Sequence, residues 1–317
     1  MKFLKHKLLQ FFLTILFVSA ITFAMVDLLP GDAAIVFAGP EASVETVVAI
    51  RHEMGLDAPV IVRYFCWIKG AARGDFGFSL ITREPVWDTL VERLPVTLEL
   101  LLFAQMMALT LAIPAAMICA SRPGGTIDRI LTTVGFASLS IPSFVMAILL
   151  VFFFVLQLQW LPATSFEPLS NGLAANIRSL LLPGLSIALV EWVILFQVLR
   201  SDLITTLGED FILMARSKGL SSTQVLFRHA LRPSSLNLLT VVGLQMGNLI
   251  GGALVVETIF ALPGIGRLLL TAIYTRDIFM IQGCVLWITL GYVVVNLFVD
   301  LLYAALDPRI RVEVSIE

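Results

Sequence analysis

The chain has 317 residues, 58% of them hydrophobic and 14% charged, with a net charge of -2. Soluble domains carry roughly 45–50% apolar and about 25% charged residues, so this composition excludes an ordinary soluble domain and places the chain in a membrane. The near-neutral charge also excludes an overall basic field of the kind that attracts nucleic acid.

Lys2, Lys5 and Lys7 precede an apolar run over residues 8–29, which matches the roughly 20 residues that cross a bilayer. A cleaved signal peptide is the alternative, with Ser19 and Ala20 as small residues near a cut. The run is longer than the about 7–15 apolar residues of such a leader. Residues 30–93 form the one extended polar segment, mixing acids such as Glu45, Asp57 and Asp88 with bases such as Arg51, Arg63 and Arg83. Within it residues 44–54 and 60–72 have the pattern of amphipathic helices. Gly74 and Gly77 flank Phe76 and predict a tight turn that presents an aromatic.

A second span is expected over residues 94–119, opened by Pro95, Thr97 and Glu99, and a short polar link follows with Arg122, Asp128 and Arg129. A third span is expected over residues 130–158, bent at Pro142 and closed by Trp160, a residue typical of the membrane interface. The fourth, residues 180–199, carries Glu191 and Gln197. A charge at a helix centre costs about 2.5–3.5 kcal/mol on insertion scales. Glu191 is therefore expected to face a pathway, a partner subunit or a neighbouring helix.

Residues 209–233 read as two short helices with a basic surface. Phe211, Ile212 and Ala215 fall toward one side of the first. Gly219 can end it in a left-handed cap. Ser221 and Gln224 have capping-box spacing for the second, and Pro233 is expected to stop that helix from running straight on. Arg216, Lys218, Arg228 and Arg232 supply the charge. A DNA-binding helix-turn-helix has the same outline, but the flanks here are apolar and of membrane-spanning length. The fifth span, residues 236–256, carries Gly243, Gly247, Gly251 and Gly252 near small-xxx-small spacing, which permits close packing against a partner or within this chain. The sixth span covers residues 281–305.

Six spans put both termini on one side. That side holds Lys2, Lys5, Lys7, Arg122, Arg129, Arg200, Arg216, Lys218, Arg228, Arg232, Arg309 and Arg311, against Arg178, Arg267 and Arg276 in the opposite short loops. The positive-inside rule then places the termini and residues 209–233 in the cytoplasm.

Ala215, Lys218, Gly219 and Leu220, followed by Val225, Leu226, Arg228, His229, Ala230, Leu231, Arg232 and Pro233, resemble the EAA loop of permease subunits in binding-protein-dependent ABC importers. The resemblance is closest to the dipeptide/oligopeptide/nickel branch. In the widest form of that motif Glu-Ala-Ala is followed by a glycine four residues on. This chain keeps Ala215 and Gly219 but has Leu213 and Met214 at the first two positions. Similar matches are Pro30-Gly31-Asp32, Gly55-Leu56-Asp57, Gly74-Asp75-Phe76-Gly77, Glu257-Thr258-Ile259-Phe260, Leu262-Pro263-Gly264-Ile265-Gly266, Arg276-Asp277 and Asp307-Pro308-Arg309.

The resemblance implies an all-α polytopic membrane protein of the bacterial inner membrane with six transmembrane helices. Residues 1–29 would be the first helix, 30–93 an extracytoplasmic cap, 94–311 the permease core and 312–317 a cytoplasmic tail. Residues 206–233 would be a coupling loop that docks on an ATPase through Ala215, Arg216, Lys218, Gly219, Leu220, Arg228, His229 and Arg232. Glu191, Gln197 and Glu257 are candidates for the pathway or for inter-subunit contact. The implied partners are a second homologous permease subunit, two ABC ATPase subunits, an extracytoplasmic solute-binding protein and membrane lipid, with no nucleic acid. The implied solute is a peptide, or alternatively nickel or a metal chelate.

The chain has no G-x-x-x-x-G-K-[ST] pattern, so ATP is expected on the partner ATPases and no cofactor on this chain. Its three cysteines and three histidines are scattered and form neither a disulfide framework nor a metal-ligand cluster. Two other classes stay open: an intramembrane enzyme using Glu191, Glu99 and Asp300, and an ATP-independent channel or secondary transporter with Glu191 as its coupling site.

Overall fold

The computed structural model describes residues 2–28, 33–39, 42–53, 55–162 and 166–306. The described residues are mostly helical, with one isolated β-bridge between Phe78 and Pro85. Pro30-Gly31-Asp32, Asp307-Pro308-Arg309 and the tail 312–317 lie outside them. In chain order the helices are α1 (Lys2–Asp27), α2 (Ala33–Ala38), α3 (Val44–Glu53), α4 (Val60–Ala71), α5 (Val86–Ser121), α6 (Thr126–Leu139) and α7 (Ser143–Leu150). They continue with α8 (Leu173–Leu207), α9 (Asp210–Ser217), α10 (Ser222–Gln224), α11 (Leu231–Ile259), α12 (Ile265–Thr275) and α13 (Ile278–Leu306). Short π-helical turns over Val151–Gln157 and Val225–Ala230 continue α7 and α10.

Four of these helices are individually long and apolar enough to cross a membrane, and the number reaches six if each of two bent pairs is one span. The expected third span is one of those pairs. Thr126–Leu139 and Ser143–Gln157 meet at 101°, so the span is bent at Pro142 as expected, and sharply enough to divide it into two helices. Proline excludes the helical conformation for the residue before it, and Pro142 itself leaves the helical region at ψ 146°. Each half is 14 or 15 residues, about 21–22 Å long, too short to cross a hydrocarbon core of about 30 Å alone.

The chain divides into two compact units. The first comprises Met1–Thr97 and Pro263–Val294. Here α4 packs on α1: Tyr64 and Ser19 place their hydroxyls 2.9 Å apart, and Phe23 meets Tyr64 edge-on at 5.6 Å. The expected turn forms, with Gly74 and Gly77 at φ +86° and +80°. Its aromatic points inward: Phe76 is buried and stacks on Trp87 at 5.7 Å, and Trp87 meets Trp287 at 5.3 Å. Desolvating a phenyl ring is favourable, so the turn serves as an anchor. Asp277, at the N-terminus of α13, accepts from the Ser79 hydroxyl, from Leu80 N–H at 3.2 Å and from Met280 N–H at 3.3 Å. One carboxylate thus caps a helix and ties down the polar segment 198 residues earlier in sequence.

The second unit comprises Leu98–Leu262 and Val295–Glu317. Its core gathers Ala108, Ala112 and Ala116 of α5 with Ala188, Trp192, Phe196, Leu199 and Leu203 of α8. Small residues on α5 accept the large ones of α8. Helix α6 runs antiparallel along α8: Asp128 meets Arg200, Gly135 lies against Val193, and the Ser138 hydroxyl donates to the Leu189 carbonyl. One heptad along α6 is matched by one heptad back along α8, which is the register of close antiparallel helices.

The glycines of α11 do not act alike. A Cβ on Gly243 would run into the Val299 side chain, whereas one on Gly251 or Gly252 would meet nothing within 4 Å among the described residues. Gly243 therefore serves packing within this chain. Gly243→Ala is expected to destabilise the purified chain by about 1–3 kcal/mol through overpacking, while Gly251→Ala stays within about 0.5 kcal/mol. Equal thermal midpoints for the two variants would contradict this division.

Candidate functional site

Helix α8 ends at Leu207, and Glu209 starts α9 from an extended conformation. Asp210 lies in the first turn of α9 and Arg216 in the last, each at the end where the helix dipole favours its charge. Gly219 sits at φ +83°, with its N–H donating to the Arg216 carbonyl at 2.9 Å and Leu220 N–H donating to the Ala215 carbonyl at 3.4 Å. These two bonds form a Schellman closure. The capping box is present: Gln224 N–H donates to the Ser221 hydroxyl at 3.3 Å, and Ser221 N–H to Gln224 Oε1 at 3.1 Å.

Pro233 does not stop the second helix. It lies in the first turn of α11, directly after the π-helical turn Val225–Ala230. Proline lacks an N–H and its ring crowds the carbonyl four residues back. The wider π register just upstream, with Leu231 N–H bonded to the Leu226 carbonyl, lets the helix continue through it.

The loop is fastened to its own spans. Ile212, Ala215, Val225 and Ala230 are buried in the same core cluster as Leu199 and Leu203. Phe211 does not share that face and is 46% exposed. The buried seam of this eight-residue helix is centred between Ile212 and Ala215, and at 3.6 residues per turn Phe211 stands about 70° away from it. At the helix ends, Asn237 donates to Asp202 at 3.0 Å and the hydroxyls of Thr206 and Ser234 lie 3.0 Å apart.

The outward surface is apolar and cationic. Leu213, Met214 and Phe227 are 53–59% exposed. Arg216, Lys218, Arg228 and Arg232 are exposed and make no ion pair among the described residues, Gly219 is exposed, and Leu220 and His229 are half-buried. The structure thus leaves the basic residues of the loop exposed while placing Ala215 inside.

Behind the loop lies an ion pair that no sequence pattern announces. Asp128 is buried and accepts from Arg200 Nε at 2.5 Å, from a second Arg200 nitrogen at 2.6 Å and from Gly124 N–H at 2.8 Å. A bidentate arginine–carboxylate pair is among the stronger and more directional polar contacts. It fixes the start of α6 to α8 ten residues before α9 begins.

Higher in the unit, Glu191 Oε2 and Gln197 Nε2 are buried with no hydrogen-bond partner among the described residues, as are both side-chain polar atoms of Gln105 on α5 and of Gln245 on α11. In the sequence the one signal for Gln105 and Gln245 is a polar residue set inside an apolar helix. Glu257 is fully buried at the end of α11. Glu99 accepts from Asn176 at 3.0 Å. Glu191 lies fifteen residues further along α8, about 22 Å at 1.5 Å per residue, so the two acids do not meet at one depth. Asp300's side chain lies outside the described residues.

Comparison with known proteins completes this picture. Residues 112–312 match the family described as binding-protein-dependent transport system inner membrane component, and residues 1–101 match the N-terminal family of such membrane components. A probable peptide ABC transporter permease protein of Sinorhizobium fredii is 37% identical over 289 residues, covering 91% of this chain and 92% of that protein. The glutathione transport system permease protein GsiC of Escherichia coli is 35% identical over 305 residues, covering 96% of this chain and 97% of that protein. A multi-pass inner-membrane permease, a transporter component and not an enzyme, is what these matches describe, and the chain belongs to the family of binding-protein-dependent transport system inner membrane components.

Proposed function

We propose that this chain is one of two permease subunits of an ATP-driven, binding-protein-dependent importer of peptides. The observation that carries the solute is that relatives matching over nine-tenths of the chain are named for peptide or glutathione transport, and glutathione is itself a small peptide. Residues 206–233 are the coupling loop, with the termini on the same, cytoplasmic side. The exposed Leu213, Met214 and Phe227 together with Arg216, Lys218, Arg228 and Arg232, exposed and in no ion pair among the described residues, support this reading, since exposed apolar and cationic side chains on one short segment suit an acidic-rimmed groove on an ATPase. Because Ile212, Ala215 and Val225 are built into the core of the spans, a push on this surface moves α8 and α11 together. Such rigid-body motion drives alternating access. The buried polar atoms of Glu191, Gln197, Gln105 and Gln245 that have no partner among the described residues support a hydrated pathway or subunit seam along α5, α8 and α11, because bare polar groups in hydrocarbon are costly.

The test is co-purification followed by uptake. The tagged chain, expressed with its neighbouring genes, is expected to bring down a second permease and ATPases. The reconstituted complex with its binding protein is expected to accumulate labelled di- to tetrapeptides only with ATP. Recovery of the chain as a homo-oligomer with no ATPase, or uptake that persists without ATP, would overturn the assignment.

A further inference from the structure

The second unit carries a groove of about 450 Å³ between the last turns of α5 and the helix that runs from α10 through the π-helical turn into α11. Ile113, Met117 and Ile118 supply one wall, and Leu226 and Phe227 the other. Ile118 is 50% and Phe227 59% exposed. Met117 and Val225 belong to the core cluster that fastens the loop to its spans, and Leu226 packs against it, so the groove is built on that core. Ser121, Ser222 and Thr223 also line it, and all three are exposed.

The groove has an apolar end and a polar end. Ser121 closes α5, while Ser222 and Thr223 open the helix that leads back into a span, so the hydroxyls belong to the loop end. Arg122 follows Ser121, is exposed and makes no ion pair among the described residues. The Ser121 hydroxyl already donates to the Ile118 carbonyl at 2.7 Å, so Arg122, Ser222 and Thr223 are the side-chain donors for a ligand there. Ile113 lies two turns before Ser121, about 12 Å at 1.5 Å per residue. Because α5 is long and apolar enough to cross a membrane, the Ile113 end lies at hydrocarbon depth. A soluble ATPase does not reach that depth. An apolar helix of a partner subunit covers the walls but brings no anion to Arg122. A phospholipid meets both ends: its acyl chain suits the walls, and a cation at the membrane surface attracts an anionic headgroup.

We propose that this groove holds one anionic glycerophospholipid from the leaflet on the loop side. An acyl chain lies along Ile113, Ile118, Leu226 and Phe227. The phosphate accepts from Arg122, a charge-assisted contact, and from the Ser222 and Thr223 hydroxyls. The lipid then touches a span and the loop at once and bridges α5 to the segment that follows Gly219. The inference goes beyond the import reading: it needs only that α5 crosses the membrane, and it holds whatever solute is carried.

The transporter, purified with the subunits that accompany this chain, is placed in phosphatidylcholine nanodiscs doped with a phosphatidylglycerol that carries a diazirine on its acyl chain. After illumination, the labelled residues are located by mass spectrometry. Saturable labelling within residues 113–118 and 226–227 is expected, about fivefold above that from a phosphatidylcholine probe at the same content, the effect of one cation at a membrane surface. Arg122→Gln is expected to bring the two probes to parity. Thr223→Trp, whose ring fills the groove, is expected to lower labelling by both probes severalfold. Labelling at Leu102, exposed on the same helix, is expected to stay unchanged in both variants and serves as the reference for ordinary lipid contact. Equal labelling by the two probes in the wild type, or a groove labelled no more than Leu102, would leave only non-specific lipid and overturn the site. Full preference retained in Arg122→Gln would overturn the headgroup assignment. A groove labelled in the chain purified alone but silent in the assembled transporter would show that a partner subunit, and not a lipid, covers it.

Discussion

Asp128→Ala is expected to destabilise the detergent-solubilised chain by about 2–3 kcal/mol, below the roughly 3–5 kcal/mol of a fully buried pair, because it strands the partly exposed Arg200 charge. Asp128 is 4% and Arg200 23% exposed, so water compensates the loss only in part. The variant also loses the Gly124 N–H contact that shapes the turn into α6. Replacing both partners, as Asp128→Leu with Arg200→Met, is expected to recover much of that loss, since a well-packed apolar pair is often no worse than a buried ion pair. The measurement is thermal or denaturant unfolding of the four proteins of a double-mutant cycle. A wild-type midpoint for Asp128→Ala would show that the pair contributes little. Uptake by the double variant then tests a separate question. The pair joins α6 to the segment of α8 that leads into α9, so a stable double variant with much reduced uptake would place the pair in the transmission of loop movement.

Gly219→Val is expected to reduce ATP-dependent uptake by more than about tenfold, through the shape of the loop and not through a clash inside the chain. The residue sits at φ +83°, and a Cβ there would meet nothing within 4 Å among the described residues. The left-handed conformation costs an L-residue about 1–2 kcal/mol, and a β-branched side chain suffers most. If α9 instead unwinds at its end, the Schellman closure is lost and Leu220 and Ser221 are re-aimed. Gly219→Asn provides the control, because asparagine tolerates this conformation. Uptake preserved in Asn and lost in Val assigns the role of Gly219 to backbone geometry. Loss in both, with ATPase subunits no longer co-purifying, assigns it to close approach of a partner surface. Wild-type uptake in both would sink the proposal that this loop couples the permease to an ATPase.

Local features of the loop were legible in the sequence because they are set by neighbours a few residues apart. Gly219 as a left-handed cap and Ser221 with Gln224 as a capping box depend on backbone bonds spanning no more than five residues. The helices α3 and α4 of the polar segment and the turn at Gly74 and Gly77 are of the same kind. The site residues were harder. Sequence spacing groups Phe211 with Ile212 and Ala215, but the seam of α9 is set by which side chains join the core cluster shared with the turn Val225–Ala230 and the spans. The small Ala215 suggested a contact surface, and the structure uses its size to bring α9 onto the core.

The apolar spans, their number to within the two bent helices, and the charge asymmetry between loops follow from composition and period alone, since the cost of placing peptide and charge in hydrocarbon is a property of each segment. Family membership is legible for the same reason, in short motifs that keep their order. What only the tertiary structure decided are the relations between segments. It paired Asp128 with Arg200, directed Asp277 back to Ser79 and Leu80, bent the third span by 101°, set Gly243 against Val299, and left Gln105 and Gln245 with polar atoms that have no partner among the described residues. Each depends on which helix faces which at what register. A hydrophobic pattern says that a face is buried without saying what it is buried against, and in an apolar chain nearly every face meets that description.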